Sequence, residues 1–403
     1  MDTVNSDPTL LPSVATPSVL PPDASTQGLS AWADIDLDAI RDNVTRLGEL
    51  AGGADVMAVI KGDAYGHGLV PVAHAALAGG ATYLAIAQLG EALAARAAGV
   101  SAPVLTWLFP PGADLAAAIR ADLTLSAGAP WALAEIAAAA RAVGTTARIH
   151  LKVDTGLGRG GAWQDDLAGM FVDAARLEAE GVVDVEGIFS HFAWADAPEH
   201  PTVRAQQETF VAMIADAERA GLRPRLRHLA NSAATLTNPS AHFDMVRPGV
   251  SIYGLSPVPD IGGPTHFGLR EAMRVTARLI NVKACGAGQG VSYGHQYTTK
   301  GATRLGLVPL GYADGVPRHA GNVGPVLVEG RRLTVAGRVC MDQFVLDLGA
   351  DSTAAAGDEV VLIGREADGE PTAQDWAAAI DTINYEIVTR LGPRVPRRYL
   401  GAR

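Results

Sequence analysis

Apolar runs and alanine-rich stretches with helical spacing alternate along most of this chain. Strand-like runs fall at Val56–Ile60, Tyr83–Ala87, Val104–Trp107, Leu123–Leu125, Ala147–Val153, Val183–Ser190, around Leu226–Leu229 and near Met245–Arg247. Segments such as Glu91–Ala98, Ala132–Ala142 and Gln206–Ala220 separate them. About eight strand–helix alternations predict an α/β fold built on an eight-stranded parallel β/α barrel. An open doubly wound sheet is the competing arrangement. The barrel is preferred because Lys61, Lys152, His191, His228 and Arg247 stand at the C-terminal ends of widely separated strands, where barrel enzymes gather their chemistry. Ahead of the first repeat, Trp32–Leu37 alternates as a strand, and Asp38 is placed to cap the helix that follows.

The rhythm changes after about Gly254. Arg274–Ala284, Arg304–Pro309, Val326–Val328, Leu333–Val339, Phe344–Leu348 and Glu359–Gly364 are short strand candidates punctuated by glycine. They predict a mainly antiparallel β domain after the barrel. Thr372–Arg390 reads as a helix with Pro371 at its entrance. The expected organisation is a Pro/Ser/Thr-rich disordered tail over 1–30, a barrel over 31–265 and a β domain over 266–403.

Composition narrows the function classes. Of 403 residues, 48% are hydrophobic and 19% charged, as in a soluble globular enzyme. A net charge of −11 argues against nucleic acid or an anionic membrane surface as partner. Arg394, Arg397, Arg398 and Arg403 cluster near the C-terminus, where a salt-bridged or solvated end is the ordinary reading. Cys285 and Cys340 are the only cysteines, which excludes a disulfide framework and makes the cytoplasm the simplest home. No run approaches the length of a membrane span, and the first thirty residues lack the Lys or Arg of a secretory signal.

Lys61 ends an apolar run and enters Gly62-Asp63-Ala64-Tyr65-Gly66-His67-Gly68. Desolvation there lowers an ammonium pKa, and a neutral amine can form a Schiff base with an aldehyde. Tyr65 and His67 are placed to supply polar contacts beside it. In a second cluster, His150–Arg159, Lys152 closes a strand and Arg159 follows a glycine-rich turn; a surface lysine and a helix-start arginine are the bland alternative. His191 ends the strand Val185–Ser190, with no second ligand at metal spacing. Asn231-Ser232 opens a helix that serves either as an ordinary cap or as a phosphate site. Arg247-Pro248-Gly249-Val250 follows, with the Gly249 amide free for an anion. Tyr293, in Val291–His295, reads by itself as a packing residue.

Val59–Gly68 closely resembles the pyridoxal-phosphate lysine motif of bacterial alanine racemases, which usually have alanine followed by asparagine or aspartate after the lysine; Gly62 is a small departure. The resemblance extends through the clusters above to Gly311–Gly315, Arg338–Gln343 and Thr382–Glu386, in family order. It implies a pyridoxal 5'-phosphate enzyme that interconverts L-alanine and D-alanine by a two-base mechanism, supplying D-alanine for peptidoglycan. By the same resemblance Lys61 carries the cofactor and is the base for the D-enantiomer, and Tyr293 is the base for the L-enantiomer. Tyr65, Ser232, Gly249, Val250 and Tyr385 bind the phosphate, and Arg247 faces the pyridine nitrogen. Lys152, commonly carbamylated in the family, holds Arg159, which contacts the cofactor's phenolic oxygen and the substrate. His191 partners the catalytic tyrosine, Met341 lies in the substrate-carboxylate segment, and His228, Tyr312 and Asp342 play supporting parts. Leu157 stands where many relatives have methionine. A head-to-tail homodimer with shared sites is expected. The rivals are a racemase for serine or several amino acids, and a non-catalytic pyridoxal-phosphate-binding barrel, against which the whole of Arg274–Tyr399 argues.

Overall fold

The structure, a computed structural model, describes residues 18–21, 24–163 and 165–401. Two short strands come first, β1 (Val19–Leu20) and β2 (Ala31–Asp36). Eight parallel strands follow: β3 (Asp55–Val59), β4 (Tyr83–Ala85), β5 (Val104–Thr106), β6 (Thr124–Ala127), β7 (Ala147–Lys152), β8 (Val183–Phe189), β9 (Leu226–His228) and β10 (Met245–Val246). They run in the order β10-β3-β4-β5-β6-β7-β8-β9. At the seam, Asp244 N–H donates to the Arg227 carbonyl (3.1 Å), and Arg247 N–H donates to that of Ala230 (2.9 Å). Those bonds curl the sheet into a nearly closed barrel, the expected fold.

Local sequence explains the layers. The helix Leu37–Leu50 turns Leu37, Ile40, Val44 and Leu47 inward at helical spacing. Its cap is Asp36, whose carboxylate accepts from Ala39 N–H at 2.9 Å, rather than the expected Asp38, which lies in the first turn. Pro130 starts the helix Pro130–Val143, and Gly144, at φ 73°, ends it. Between Ile149 and His150 the β7–β8 register slips by one residue, and His150 comes to lie opposite Gly187. A β-carbon on Gly187 would come within 2.8 Å of the buried His150 ring.

The antiparallel unit holds β11 (Met273–Arg278), β12 (Asn281–Cys285), β13 (Gly290–Val291), β14 (Tyr297–Thr298), β15 (Thr303–Val308), β16 (Pro325–Val328), β17 (Arg331–Thr334), β18 (Phe344–Asp347), β19 (Glu359–Ile363) and β20 (Arg397–Leu400). One sheet has the order β1-β20-β2-β11-β19-β16-β17 and another β12-β15-β18. The expected single strand Arg274–Ala284 is two, β11 and β12, and the expected Leu333–Val339 is the shorter β17. The expected helix Thr372–Arg390 is also two, Ala373–Ala379 and Asn384–Thr389, because Asp381 turns left-handed at φ 56°. Arg397 is buried and donates to the carbonyls of Leu391, Gly392 and Val395, while Arg398 pairs with Asp34, so these two arginines of the basic cluster are structural; Arg403 lies outside the described residues.

The chain divides into two compact units. One compact unit comprises Asp36–Met273 with Thr382–Thr389; the other includes Arg274–Asp381 and Arg390–Tyr399 together with the described residues before Asp36. Much of the expected tail over 1–30 lies outside the described residues. Where it is described, β1 pairs in parallel with β20 (Val19 opposite Arg397), so order begins before residue 31. An edge strand bonded only through its backbone leaves little hydrophobic signal to read. No helix among the described residues is long and apolar enough to cross a membrane.

Gly187→Ala should destabilise the chain by about 1–3 kcal/mol, the usual cost of overpacking, because His150 is held by hydrogen bonds on both ring nitrogens. Urea unfolding at neutral pH measures it; a midpoint equal to wild type would mean that His150 has room to yield.

Candidate active site

Strands β3, β4, β5, β7 and β8, with the turns after β9 and β10, enclose a cavity of about 210 Å³. Met57, Val59, Ala85, Leu105 and Phe189 form its apolar part. Lys61, Lys152, Arg159 and Arg247 bring four cations to it, with Trp107 and His191 between them. Tyr65, Asn231, Ser232, Gly249, Val250 and Tyr385 complete the lining. Among the described residues, no carboxylate side chain lines this cavity. An apolar pocket with four cations and no acid is built for a small anionic ligand.

Lys61 follows β3 directly and then the backbone turns left-handed over Gly62, Asp63, Ala64 and Tyr65, with φ between 51° and 65°. Each non-glycine residue there costs about 1–2 kcal/mol, so neighbouring structure must hold the turn. His67 does part of this. Its Nδ1 lies 3.1 Å from the Ala64 carbonyl and 3.0 Å from that of Tyr65, so it carries the proton and donates. The ring stacks on Tyr253, so His67 supports the loop and does not line the cavity that Lys61 enters. The Lys61 side chain is reachable from the cavity yet surrounded by protein. That desolvation, then the charge of Arg159, lowers its pKa, and Glu91 opposes the fall. Its ammonium lies 6.0 Å from the Trp107 ring centre.

Arg247 is buried, and its hydrogen bonds fix a row of tautomers. Nη2 donates to the carbonyls of Ser190 (2.7 Å) and Leu229 (3.2 Å), and Nη1 meets His228 Nδ1 at 3.1 Å. Arginine only donates, so His228 Nδ1 accepts and its Nε2–H donates to His150 Nδ1 at 2.8 Å. His150 Nε2–H then points at Glu186 Oε2, 3.3 Å away. Burial holds His150, His191 and His228 below their ordinary pKa, and the charge of Arg247 adds to the effect at each. Burial lowers Arg247 itself to about 9, which leaves it protonated at neutral pH. Its guanidinium centre also lies 5.4 Å from the Phe189 ring. Among the described residues Nε has no protein acceptor, so Arg247 keeps a donor for a ligand.

Lys152 ends β7, as expected. Burial, then the charges of Arg159 and Arg247, lower its pKa to about 8. Arg159 is presented by a loop wound around the buried Asp154. Oδ1 accepts from the amides of Gly156 (2.9 Å), Leu157 (2.8 Å) and Gly158 (3.2 Å), and Oδ2 accepts from that of Arg159 (3.0 Å). Burial by itself would raise the Asp154 pKa, but these four donors hold it below the usual value.

Asn231 caps the helix Ser232–Thr237. The Gly249 amide, expected to be free, donates to Ser232 Oγ at 2.8 Å. The two therefore form one polar cradle, and the serine keeps its own proton to donate. A β-carbon on Gly249 would come within 2.4 Å of the Tyr65 hydroxyl, so only glycine fits. Tyr385 stands 6.2 Å from Tyr65 between ring centres. Burial raises both phenols above their ordinary pKa and keeps them neutral.

Lys61, Tyr65, Lys152, Arg159, His191, Ser232, Arg247, Gly249, Val250 and Tyr385 thus come together at one cavity, and His228 lies directly behind Arg247. The other expected residues belong to the antiparallel unit. There Tyr293 is 70% exposed, Met341 54% and Tyr312 41%. Asp342 is exposed and pairs with Arg394 at 2.8 Å. Sequence reasoning missed Trp107, although its place at the end of the third barrel strand was a usable signal. It also missed Asp154, whose Asp-Thr-Gly context favours a side chain turning back onto its own loop.

The alanine racemase N-terminal domain family model matches residues 35–257, and the alanine racemase C-terminal domain model matches 272–399. An alanine racemase from Frankia casuarinae is 61% identical over 372 residues, covering 92% of this chain and 97% of the relative. The crystal structure of alanine racemase from Streptomyces coelicolor A3(2) aligns with a TM-score of 0.91 at 55% identity, covering 93% of this chain and 99% of that one. That of alanine racemase from Bacillus anthracis, with bound L-Ala-P, aligns at 0.85 and 37% identity over 92% and 95%. With matches over nearly all of both units, this chain belongs to the alanine racemase family.

Proposed function

We propose that this racemase uses pyridoxal phosphate and two opposed bases, Lys61 and Tyr293, with Tyr293 supplied by the partner subunit of a homodimer. The observation that carries the reading is the ring of four cations around a cavity whose described lining has no carboxylate, one of them an amine of lowered pKa at a strand end. A phosphate-bearing aldehyde fits that donor set: anionic at one end, and electrophilic where a neutral amine can attack. Ser232, Gly249, Val250, Tyr65 and Tyr385 would hold its phosphate, and Arg247 its pyridine nitrogen. The L-Ala-P bound by the Bacillus anthracis relative supports an alanine-like ligand here.

Pyridoxal phosphate, when bound, supplies an aldehyde for Lys61 and an electron sink for negative charge at the substrate α-carbon. The chain supplies the rest. Lys61 Nζ takes or returns the α-proton of the D-enantiomer on one face. A second group must work on the other face, since one base alone would restore the enantiomer it started from. Tyr293 fills that role. Its exposure, with that of Met341 and Tyr312, supports a site completed between subunits. Arg247 stays protonated, so it would donate to the ring nitrogen of a bound cofactor and keep it unprotonated, which would limit electron withdrawal and favour racemisation over transamination.

Arg159, steadied by Asp154, would face the phenolic oxygen and substrate, with Lys152 holding it and Met341 near the substrate carboxylate. His191, against Arg247 at 3.4 Å, would partner the tyrosine from across the site, while Tyr312 and Asp342 support the entrance. We place the enzyme in the cytoplasm, making D-alanine for peptidoglycan; its two unpaired cysteines suit a reducing compartment.

The reading is tested by exchange of the α-proton for deuterium, starting from each enantiomer. Both should exchange during turnover, and borohydride treatment with pyridoxal phosphate should leave its adduct on Lys61. An adduct mapped to Lys152 instead would remove Lys61 from the mechanism.

Lys61→Ala and Tyr293→Ala should each be nearly inactive alone. After equal mixing, dissociation and random reassociation, about half of the dimers are hybrids with one intact site each, restoring roughly a quarter of wild-type activity. No recovery, with hybrids confirmed by mass, would place both bases in one subunit.

The Lys152 ammonium does not react with carbon dioxide, but its neutral amine does. Because its pKa is lowered to about 8, the equilibrium extent of carbamate formation at fixed labelled bicarbonate should rise as pH rises through about 8 and level off above it. A carbamate signal of equal size in Lys152→Arg would locate the modification elsewhere.

A further inference from the structure

The left-handed turn after Lys61 is gripped from the neighbouring β/α repeat. Glu91 belongs to the first turn of the helix Leu89–Ala97, which follows β4. Its Oε2 accepts from Gly62 N–H at 3.1 Å, and its Oε1 accepts from Asp63 N–H at 2.6 Å. These are the first two amides of the left-handed stretch. The Asp63 side chain turns the other way and accepts from Leu69 N–H at 2.8 Å, so it does not compete for those donors. Glu91 is absent from the cavity lining, and it touches the loop's backbone rather than the ligand space.

We propose that Glu91 is a positioning residue for Lys61: its two carboxylate oxygens clamp the strained turn that aims the amine. The proposal rests on reading Lys61 as the reactive amine. The charged groups facing Glu91 are Lys61 and Asp63, and they act on it in opposite senses, Asp63 disfavouring its ionised form and Lys61 favouring it. Arg159 works against Glu91 at Lys61 by favouring the neutral amine. Burial and then Arg159 lower the amine's pKa while Glu91 opposes the fall, and Glu91 is the one of the two charged groups that also bonds to the lysine's own loop.

Glu91→Gln in the full-length chain separates this role from simple support. One amide oxygen cannot reproduce the charged two-oxygen clamp, so hydrogen exchange at Gly62 and Asp63 should quicken about tenfold, as for loss of a charge-assisted bond. Exchange elsewhere and the thermal midpoint should stay at wild-type values. The titration midpoint of Lys61, read in cofactor-free protein by acetylation against pH with mass spectrometry, should fall below that of wild type. Gly62 and Asp63 amides that exchange at wild-type rates, or a midpoint at or above wild type, overturn the proposal. Should Glu91→Gln fail to fold, the wild-type chain carries the test: the Gly62 and Asp63 amide resonances should shift together as the Glu91 carboxylate is protonated, and resonances that stay fixed through that titration overturn it. Neither measurement reads turnover, so failure of the two-base mechanism would leave them unaffected.

Discussion

Arg247 joins the construction of the barrel to its chemistry. Its backbone amide closes the seam by donating to Ala230, and it forms a parallel bridge with Asn231. Its side chain then reaches back across the barrel end to the carbonyls of Ser190 and Leu229 and to the ring of His228. A buried guanidinium is costly unless its donors are satisfied. Here Nη1 and Nη2 are met by neutral acceptors at the ends of β8 and β9, Nε is left for a ligand, and the positive charge is not cancelled. The seam strand is only two residues long, so these side-chain bonds supplement its short backbone ladder.

The carboxylates follow the same logic from behind. Asp154 grips four backbone amides of the loop that presents Arg159, Glu91 grips two of the loop after Lys61, and Glu186 ends the histidine row. None of the three lines the cavity. Each stabilises the geometry around a cation without forming an ion pair inside the pocket, and the cations remain available to an anion. Arrangements of this kind lower lysine basicity, as at Lys61 and Lys152, because like charges and desolvation act together.

The antiparallel unit bears a different kind of surface. Tyr293, Tyr312 and Met341 expose large side chains that a chain acting alone would gain by burying. The symmetric dimer proposed above, in which each subunit would lend this surface to the other's cavity, would give those residues a use.

The eight barrel strands were legible because a buried strand needs an apolar run and each run is bounded by its own turn signals, as Val104–Trp107 and Val183–Ser190 are. Position at a strand's C-terminal end marked Lys61, Lys152, His191 and Arg247, since barrel geometry gathers those ends whatever the loops do. The motif resemblance added residues such as Tyr65 and Tyr385 that periodicity alone would have left in a core. What escaped was set by partners distant in sequence. The pairing of β1 with β20 joins residues near opposite ends of the chain, and Asp381 breaks a helix that local propensity would have continued. The left-handed turn after Lys61 is unfavourable for every non-glycine residue in it, so no local preference announces it; Glu91 and His67 impose it through tertiary contact. Likewise the tautomers of His228 and His150 follow only once Arg247 and Glu186 are in place at either end. Covalent order therefore decided which groups the chain carries to the barrel mouth, and packing decided their protonation and aim, because both depend on the burial and neighbours that only the closed barrel provides.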